Sequence, residues 1–137
     1  MDKDQKQITL QLEWERVEDF LSEINIQQLP KGYLSCAHNC YYALYHAICA
    51  LNIEYGLPVP YTHKGLLNRL YLDFVQNGIL SEEDNKICIK AETIRQKSDY
   101  DGRYKPTKEE LGENYENINK LIKKIKEICR SHGFQEQ

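Results

Sequence analysis

Residues Leu34–Tyr55 read LSCAHNCYYALYHAICALNIEY, and this stretch decides the fold. Nearly every face of the helix that it predicts is apolar, which is typical of a helix covered by neighbours on all sides. The stretch nevertheless carries two histidines, four tyrosines and two asparagines. Polar groups placed in a core must find a hydrogen-bonding partner or serve a ligand. We therefore look for function on this helix first.

The sequence before this stretch predicts one more helix. Ile8, Leu10, Leu12 and Trp14 alternate as in a strand, but from Leu10 to Ile24 the apolar residues recur at helical spacing. The longer pattern favours a helix over a strand. A proline and a glycine then predict its end, at positions 30 and 32.

The sequence after this stretch predicts three further helices. Gly56 ends the central helix, and two capping boxes are predicted, one at Ser81 with Asp84 and one at Thr107 with Glu110. The first predicted helix runs from residue 10 to before residue 30, and the next two cover residues 33–55 and 63–78. The fourth covers residues 81–98, with fraying near residue 99, and the fifth covers residues 107–133. The sequence therefore predicts an all-α fold, an up-down bundle of about five helices.

Length and charge limit the class of protein. A chain of 137 residues fits a single domain, residues 1–137. Its formal charge of -3 gives no overall attraction to nucleic acid or anionic lipid, so any contact with nucleic acid would be local. The N-terminal MDKDQKQ is charged, and the longest apolar run is interrupted before it reaches membrane-spanning length. We expect a soluble, cytoplasmic protein with no membrane partner.

The five cysteines indicate free thiols in a reducing compartment, because their number is odd and most lie within helical patterns. Cys36 and Cys40 lie one helical turn apart and invite a zinc site with His38. His38, however, projects about 160° away from that pair around the helix, and no second ligand pair follows. We expect no metal and no cofactor.

The polar residues of the central helix fall on two adjacent stripes. His38, Tyr41 and Tyr45 lie on one stripe, and Tyr42 and His46 lie on the other. Such residues can be structural, with aromatic rings filling the core and each histidine bonded to a neighbouring helix. They can equally line a pocket in which nucleotide bases stack. Composition leaves both interpretations open.

A later segment, RQKSDY at residues 95–100, adds a cation. Arg95 and Asp99 are four residues apart, so a local ion pair is one interpretation. Because Arg95 lies beside an apolar stripe, the alternative is a partly buried guanidinium that Asp99 orients toward phosphate. The lysines of KLIKKIKEICR are predicted to be mainly a solvated face, with RNA contact as the alternative.

Four ordered motifs resemble the HEPN domain family, especially its short single-domain prokaryotic branch. They are AHNCYYALYHAICALNIEYG, THKGLL, FVQNGIL and RQKSDYDGRY, and they span residues 37–104. The resemblance implies a helical bundle, usually a homodimer, that binds RNA or nucleotide. It also implies a relationship to metal-independent endoribonucleases, which are often toxins paired with a small nucleotidyltransferase antitoxin.

The chain departs from the family pattern at two positions. In catalytic members, four to six residues separate the arginine from a following histidine. In this chain Tyr100 occupies the first position at which that histidine could lie. The branch often has an arginine where this chain has Asn39. If the chain cleaves RNA, His46 would have to supply acid–base chemistry, or the chemistry would depend on Arg95 and Tyr100.

Three hypotheses follow from the sequence. In the first, the chain binds nucleotide or RNA and acts as a toxin-like endoribonuclease of a toxin–antitoxin or defence system. The catalytic candidates are Arg95, Asp99 and His46, and the nucleotide- or RNA-binding candidates are Tyr42, Tyr100, Asn39 and His38. In the second, it is a non-catalytic partner or substrate of a nucleotidyltransferase, modified at Tyr100 or Tyr104. In the third, it is a helical dimer whose Tyr/His core is only structural, which would be favoured if Arg95, His46 and Tyr42 were sealed and hydrogen-bonded to one another with no cleft.

Overall fold

The computed structural model describes residues 1–137 and confirms the all-α prediction. It contains five α-helices and no strand. A 3₁₀ turn at Ile26–Gln28 joins the first two helices, and a π-helical turn at Tyr71–Val75 extends the third. The helices are α1 (Lys3–Ser22), α2 (Tyr33–Glu54), α3 (His63–Leu70), α4 (Glu82–Tyr100) and α5 (Lys108–His132). No helix is both long enough and apolar enough to span a membrane.

Helix α2 is the centre of the bundle. It packs against α1, α4 and α5. Ala43, Ala47 and Ala50 are fully buried, and Leu44 and Leu51 are at most 1% exposed. Small side chains let neighbouring helices approach α2 closely, and the larger ones fill the space between them. The all-round apolar pattern of this stretch therefore has its physical cause in burial on three sides.

Helix α1 begins earlier than its apolar pattern predicts. The sequence places its start near Leu10, but the helix begins at Lys3 because Asp2 and Gln5 form a capping box. The Asp2 carboxylate accepts a hydrogen bond from the Gln5 amide at 2.8 Å. A cap formed by polar, exposed residues is not detected by a search for apolar periodicity.

The two predicted capping boxes have different outcomes. At α4 the box is complete: the Ser81 hydroxyl accepts from the Asp84 amide at 3.1 Å, and the Asp84 carboxylate accepts from the Ser81 amide at 2.8 Å. At α5 the Thr107 hydroxyl accepts from the Glu110 amide at 3.1 Å, but the Glu110 carboxylate binds the Tyr104 hydroxyl instead at 2.8 Å. The second prediction was therefore only half right, because the Glu110 carboxylate binds a nearby residue of the preceding loop rather than the Thr107 amide.

Two further boundaries differ from the prediction. The α-helical part of α3 stops at Leu70, where the chain widens into the π turn and the Gln76 amide bonds to the Tyr71 carbonyl at 2.9 Å. This turn buries Phe74 completely. Helix α4 continues through Asp99 to Tyr100, past the predicted fraying point.

Candidate functional site at the junction of α2, α3 and α4

Arg95 lies on α4 and faces the central helix. Its side chain is 12% exposed, and its guanidinium carbon stands 4.8 Å from the centre of the Tyr41 ring. Tyr41 comes from α2 and is itself buried. A cation over an aromatic face is held by the ring quadrupole, and the contact strengthens as water is excluded. The platform under Arg95 is therefore supplied by the predicted Tyr/His helix.

Two carboxylates on α4 orient the Arg95 guanidinium. Glu92 accepts from Nε at 3.3 Å and from Nη2 at 3.0 Å, and Asp99 accepts from Nη1 at 3.2 Å. Partial burial alone would lower the pKa of Arg95, but the hydrogen bond and charge of Glu92 raise it above its ordinary value. The predicted pair with Asp99 is present, and Glu92 adds a two-point contact on the other side.

His63 completes the junction from α3. Thr62 caps this helix by accepting from the Gly65 amide at 2.9 Å, which places His63 in the first turn. The His63 Nδ1 atom lies 2.7 Å from the Tyr41 hydroxyl. The Tyr41 oxygen therefore binds the imidazole, while its ring carries Arg95.

Electrostatics favour neutral forms for this pair. Burial raises the pKa of Tyr41, and the charge of Glu92 raises it further against the opposing effect of Arg95. Burial lowers the pKa of His63, which Arg95 also lowers and Glu92 opposes. Near neutral pH the short bond therefore joins a protonated phenol to a neutral imidazole, the form that can accept a proton.

A second group of rings continues from the junction toward α1. The Tyr42 ring centre lies 4.5 Å from that of His38 and 5.7 Å from that of Phe20. Phe20 also stacks on His46 at 5.5 Å. Tyr42 is 5.5 Å from His63, so it links this group to the junction.

His46 is fixed by α1. Its Nδ1 atom lies 2.7 Å from a Glu13 carboxylate oxygen, and both side chains are 15% exposed. It borders an open depression of about 410 Å³ with Phe20 and the charged side chains of Arg16, Asp19 and Glu23. The structure thus connects His46 to a carboxylate on one side and to solvent on the other.

The structure brings some predicted site residues together and separates others. Arg95 and Asp99 meet at the junction, and His38, Tyr42 and His46 form the ring group. Asn39 is buried and donates to the Ser35 hydroxyl at 3.1 Å. Tyr100 is 82% exposed.

The arrangement that would have favoured the purely structural hypothesis, with Arg95, His46 and Tyr42 sealed and bonded to one another, is not present. Arg95, His46 and Tyr42 make no hydrogen bonds to one another, since Arg95 binds Glu92 and Asp99 and His46 binds Glu13. His46 also opens onto a depression. The three side chains are held separately and are partly reachable from solvent.

The sequence interpretation missed four members of this region. Tyr41 lies on a predicted stripe of α2 and His63 lies in the THKGLL motif, but the sequence assigned no function to either residue. Glu92 could have been found as the residue three positions before Arg95, a spacing at which helical side chains meet. Glu13 reaches His46 from another helix, and no local spacing indicates such a contact.

The Arg95 guanidinium can bind a phosphate if one of its two carboxylate partners moves away. Arg95 presents a planar set of donors, and such a fork binds phosphate and carboxylate oxygens alike. Asp99 is 32% exposed whereas Glu92 is 15% exposed, so Asp99 is the easier partner to displace. No three His, Cys, Asp or Glu side chains converge on a point that could hold a metal ion; the Cys36 and Cys40 sulfurs lie 4.0 Å apart without a third ligand.

Comparison with known proteins finds a matching family and a similar protein. The family model of the HEPN domain matches residues 11–128. A protein of Methanocaldococcus jannaschii named "Putative toxin MJ0605" is 32% identical over 118 residues, which cover 83% of this chain and 87% of the relative. Residues 11–128, which the family model matches, include Glu13, Tyr41, His63 and Arg95.

Proposed function

The chain belongs to the HEPN domain family, and on that basis we propose that it is a toxin-like protein that binds RNA or nucleotide through Arg95. The Methanocaldococcus jannaschii relative carries the name "Putative toxin MJ0605", which supports this class of function. In the full proposal the protein acts in the cytoplasm as a homodimer and as a metal-independent endoribonuclease. Its antitoxin in this proposal is a small nucleotidyltransferase.

The geometry of Arg95 carries the proposal. A guanidinium that is 12% exposed, stacked on Tyr41 and fixed by Glu92 has lost most of its conformational freedom before any ligand arrives. Preorganised donors bind an anion more strongly because little entropy remains to be lost. In the proposal, Asp99 orients Arg95 in the free protein, and a phosphate oxygen replaces it in the complex.

We assign acid–base chemistry to His63 rather than to His46. Cleavage through the ribose 2′-hydroxyl requires one group to accept its proton, here His63, and another to protonate the leaving oxygen, here a solvent water molecule. His63 shares Tyr41 with Arg95, whereas His46 is tied to Glu13 on α1. In the proposal His38, Tyr42 and exposed Tyr100 contact the bases, and Asn39 supports the wall of α2.

Replacing Arg95 tests the proposal directly. Arg95→Ala should lower RNA cleavage by about 10²–10³-fold, the usual effect of removing one preorganised donor to a transition state. RNA affinity should fall about tenfold. Arg69→Ala is the matched control, because Arg69 is also a helical arginine paired with an aspartate four residues on, Asp73, but is half exposed.

The readouts are cleavage of a labelled RNA, RNA binding and growth arrest on expression, with circular dichroism to verify the fold. Wild-type behaviour of Arg95→Ala would refute the proposal. His63→Gln should lose cleavage while keeping RNA binding, and His46→Gln should keep both. Loss of cleavage in His46→Gln, with cleavage retained in His63→Gln, would assign the acid–base role to His46.

A second candidate function is that of a nucleotidyltransferase substrate, and the exposure of Tyr100 favours it. Tyr100 is 82% exposed at the end of α4, so an enzyme can reach its hydroxyl. Tyr104 is partly buried and its hydroxyl donates to Glu110 at 2.8 Å. Of the two predicted acceptors, Tyr100 is therefore favoured.

Intact mass after incubation with a partner nucleotidyltransferase and ATP tests this function. A nucleotide adduct should appear on wild type and Tyr104→Phe but be absent from Tyr100→Phe. An adduct that persists in Tyr100→Phe, or none on wild type, would exclude Tyr100 as the acceptor.

A further inference from the structure

The last four residues fold back onto α1 and α5. Phe134 is 3% exposed and stacks on Trp14 with 6.5 Å between ring centres. The Gln135 carbonyl accepts from the Gln7 side chain at 3.1 Å, and the residue 137 amide donates to the Gln11 side chain at 3.1 Å. The segment is therefore anchored on both sides of residue 136.

These anchors set the Glu136 carboxylate between two cations. One oxygen lies 2.5 Å from Lys126 Nζ, and the other lies 2.7 Å from Arg130 Nη2. Lys126 and Arg130 are one helical turn apart on α5. The hydrogen bond from Lys126 lowers the pKa of Glu136 despite partial burial. The carboxylate thus bridges a two-cation site of the kind that also binds a phosphate group.

A groove of about 680 Å³ adjoins this pair, between α1 and α5. Leu21, Ile122 and Tyr115 supply its apolar and aromatic lining. Lys123, Lys126 and Arg130 contribute three cations. This volume lies within the range of about 300–1,000 Å³ that is usual for small-molecule sites.

The charges in the groove balance only while Glu136 is in place. Glu18 and Glu127 also line it, so three cations face three carboxylates when Glu136 is counted. Withdrawal of Glu136 leaves an excess positive charge at Lys126 and Arg130. An anion that displaces Glu136 would restore the balance.

We propose that this groove is a second binding site, for a small organic phosphate, and that Glu136 occupies the phosphate position in the free protein. The phosphate binds Lys126 and Arg130, Lys123 assists, and the organic body lies against Tyr115, Leu21 and Ile122. The site lies on α1 and α5, apart from the Arg95 junction of α2, α3 and α4. It therefore stands independently of the function proposed above.

Trp14 provides a direct readout, because it is the only tryptophan and lies against both the tail and the site. Phe134 stacks on it, and Lys126 Nζ is 5.5 Å from its ring. Titration of the full chain with ATP at low salt should change Trp14 fluorescence. Calorimetry on Arg95→Ala measures ATP binding to this groove without a contribution from the Arg95 junction and without depending on the tail. Inorganic tripolyphosphate should bind more weakly than ATP, since it lacks the organic body.

The sharpest variant is Glu136→Gln, which removes the competing charge. It should bind ATP about fivefold more tightly, the effect of one exposed ion pair. Glu127→Gln is the matched control: it removes the same charge and the contact of Glu127 with Arg130 at 3.5 Å, but Glu127 does not bridge the two cations. Its effect should stay below about twofold. Lys126→Gln combined with Arg130→Gln should lower affinity about tenfold.

Several results would overturn the inference. They are unchanged affinity in Glu136→Gln, equal gains in Glu136→Gln and Glu127→Gln, unchanged affinity in the Lys126/Arg130 double variant, or equal binding of ATP and tripolyphosphate. Arg95→Ala should leave the Trp14 response intact. Loss of that response in Arg95→Ala, with retention in the Lys126/Arg130 variant, would place the bound ATP at the Arg95 junction instead.

Discussion

At the scale of single residues, Arg95 is oriented largely by its own helix. Glu92 and Asp99 lie three positions before and four after it, so both can be derived from helical spacing. The Tyr41 platform and His63 cannot, because they come from α2 and α3. Sequence therefore predicted the Arg95–Asp99 pair and left out the tertiary partners that distinguish this arginine from an ordinary surface ion pair.

His63 gives a prediction at this scale. Because its pKa is lowered in the folded state, the neutral imidazole is the form that folding favours. Its contribution to the free energy of unfolding is therefore present above the unfolded pKa of about 6.5 and is lost as pH falls through the folded pKa. His63→Gln should show a smaller decline in stability between pH 7.5 and 5.5 than wild type, as measured by urea unfolding. Equal declines would contradict the lowered pKa.

At the scale of secondary structure, the position of His63 depends on how α3 begins. Thr62 caps the helix through the Gly65 amide, and a Cβ added at Gly65 would lie 2.8 Å from the Thr62 hydroxyl and 3.3 Å from the Pro60 side chain. Gly65 is therefore required by close approach rather than by backbone conformation. The sequence identified the helix, but its THKG start gave no sign of this contact.

Two glycine-to-alanine substitutions should act in opposite directions. Gly65→Ala should displace the Thr62 cap and lower the free energy of unfolding by about 1 kcal/mol, the usual effect of losing an N-cap. Gly112→Ala, within α5 and with nothing within 4 Å of the added Cβ, should raise it by about 0.5–1 kcal/mol. Chemical denaturation measures both. Stabilisation by Gly65→Ala would show that the cap tolerates the methyl group.

At the scale of the whole molecule, one core includes side chains from all five helices, and the five cysteines are buried within or against it. Helical periodicity was enough to predict the helices that build this core. It could not predict the π turn at Tyr71–Val75 or the docking of Phe134, since both depend on what the neighbouring helices leave unfilled. The predicted homodimer remains a prediction.

Burial of the thiols has a measurable consequence. Desolvation raises the pKa of Cys49, Cys88 and Cys129 to about 12, so little thiolate is present near neutral pH. These three thiols should react with Ellman's reagent only at the rate of local or global opening, and all five should react at once in denaturant. Stoichiometric labelling of the three within seconds in native buffer would contradict the packing.

The central position of α2 bears on how the protein is made. A ribosome releases α1 and α2 first, while α4 and α5, which cover the remaining faces of α2, are synthesised last. Until then the faces of α2 that α4 and α5 will cover are open to solvent, and exposed apolar surface of this kind is prone to aggregation. In a chain built around its second helix, this exposure lasts until α5 has left the ribosome.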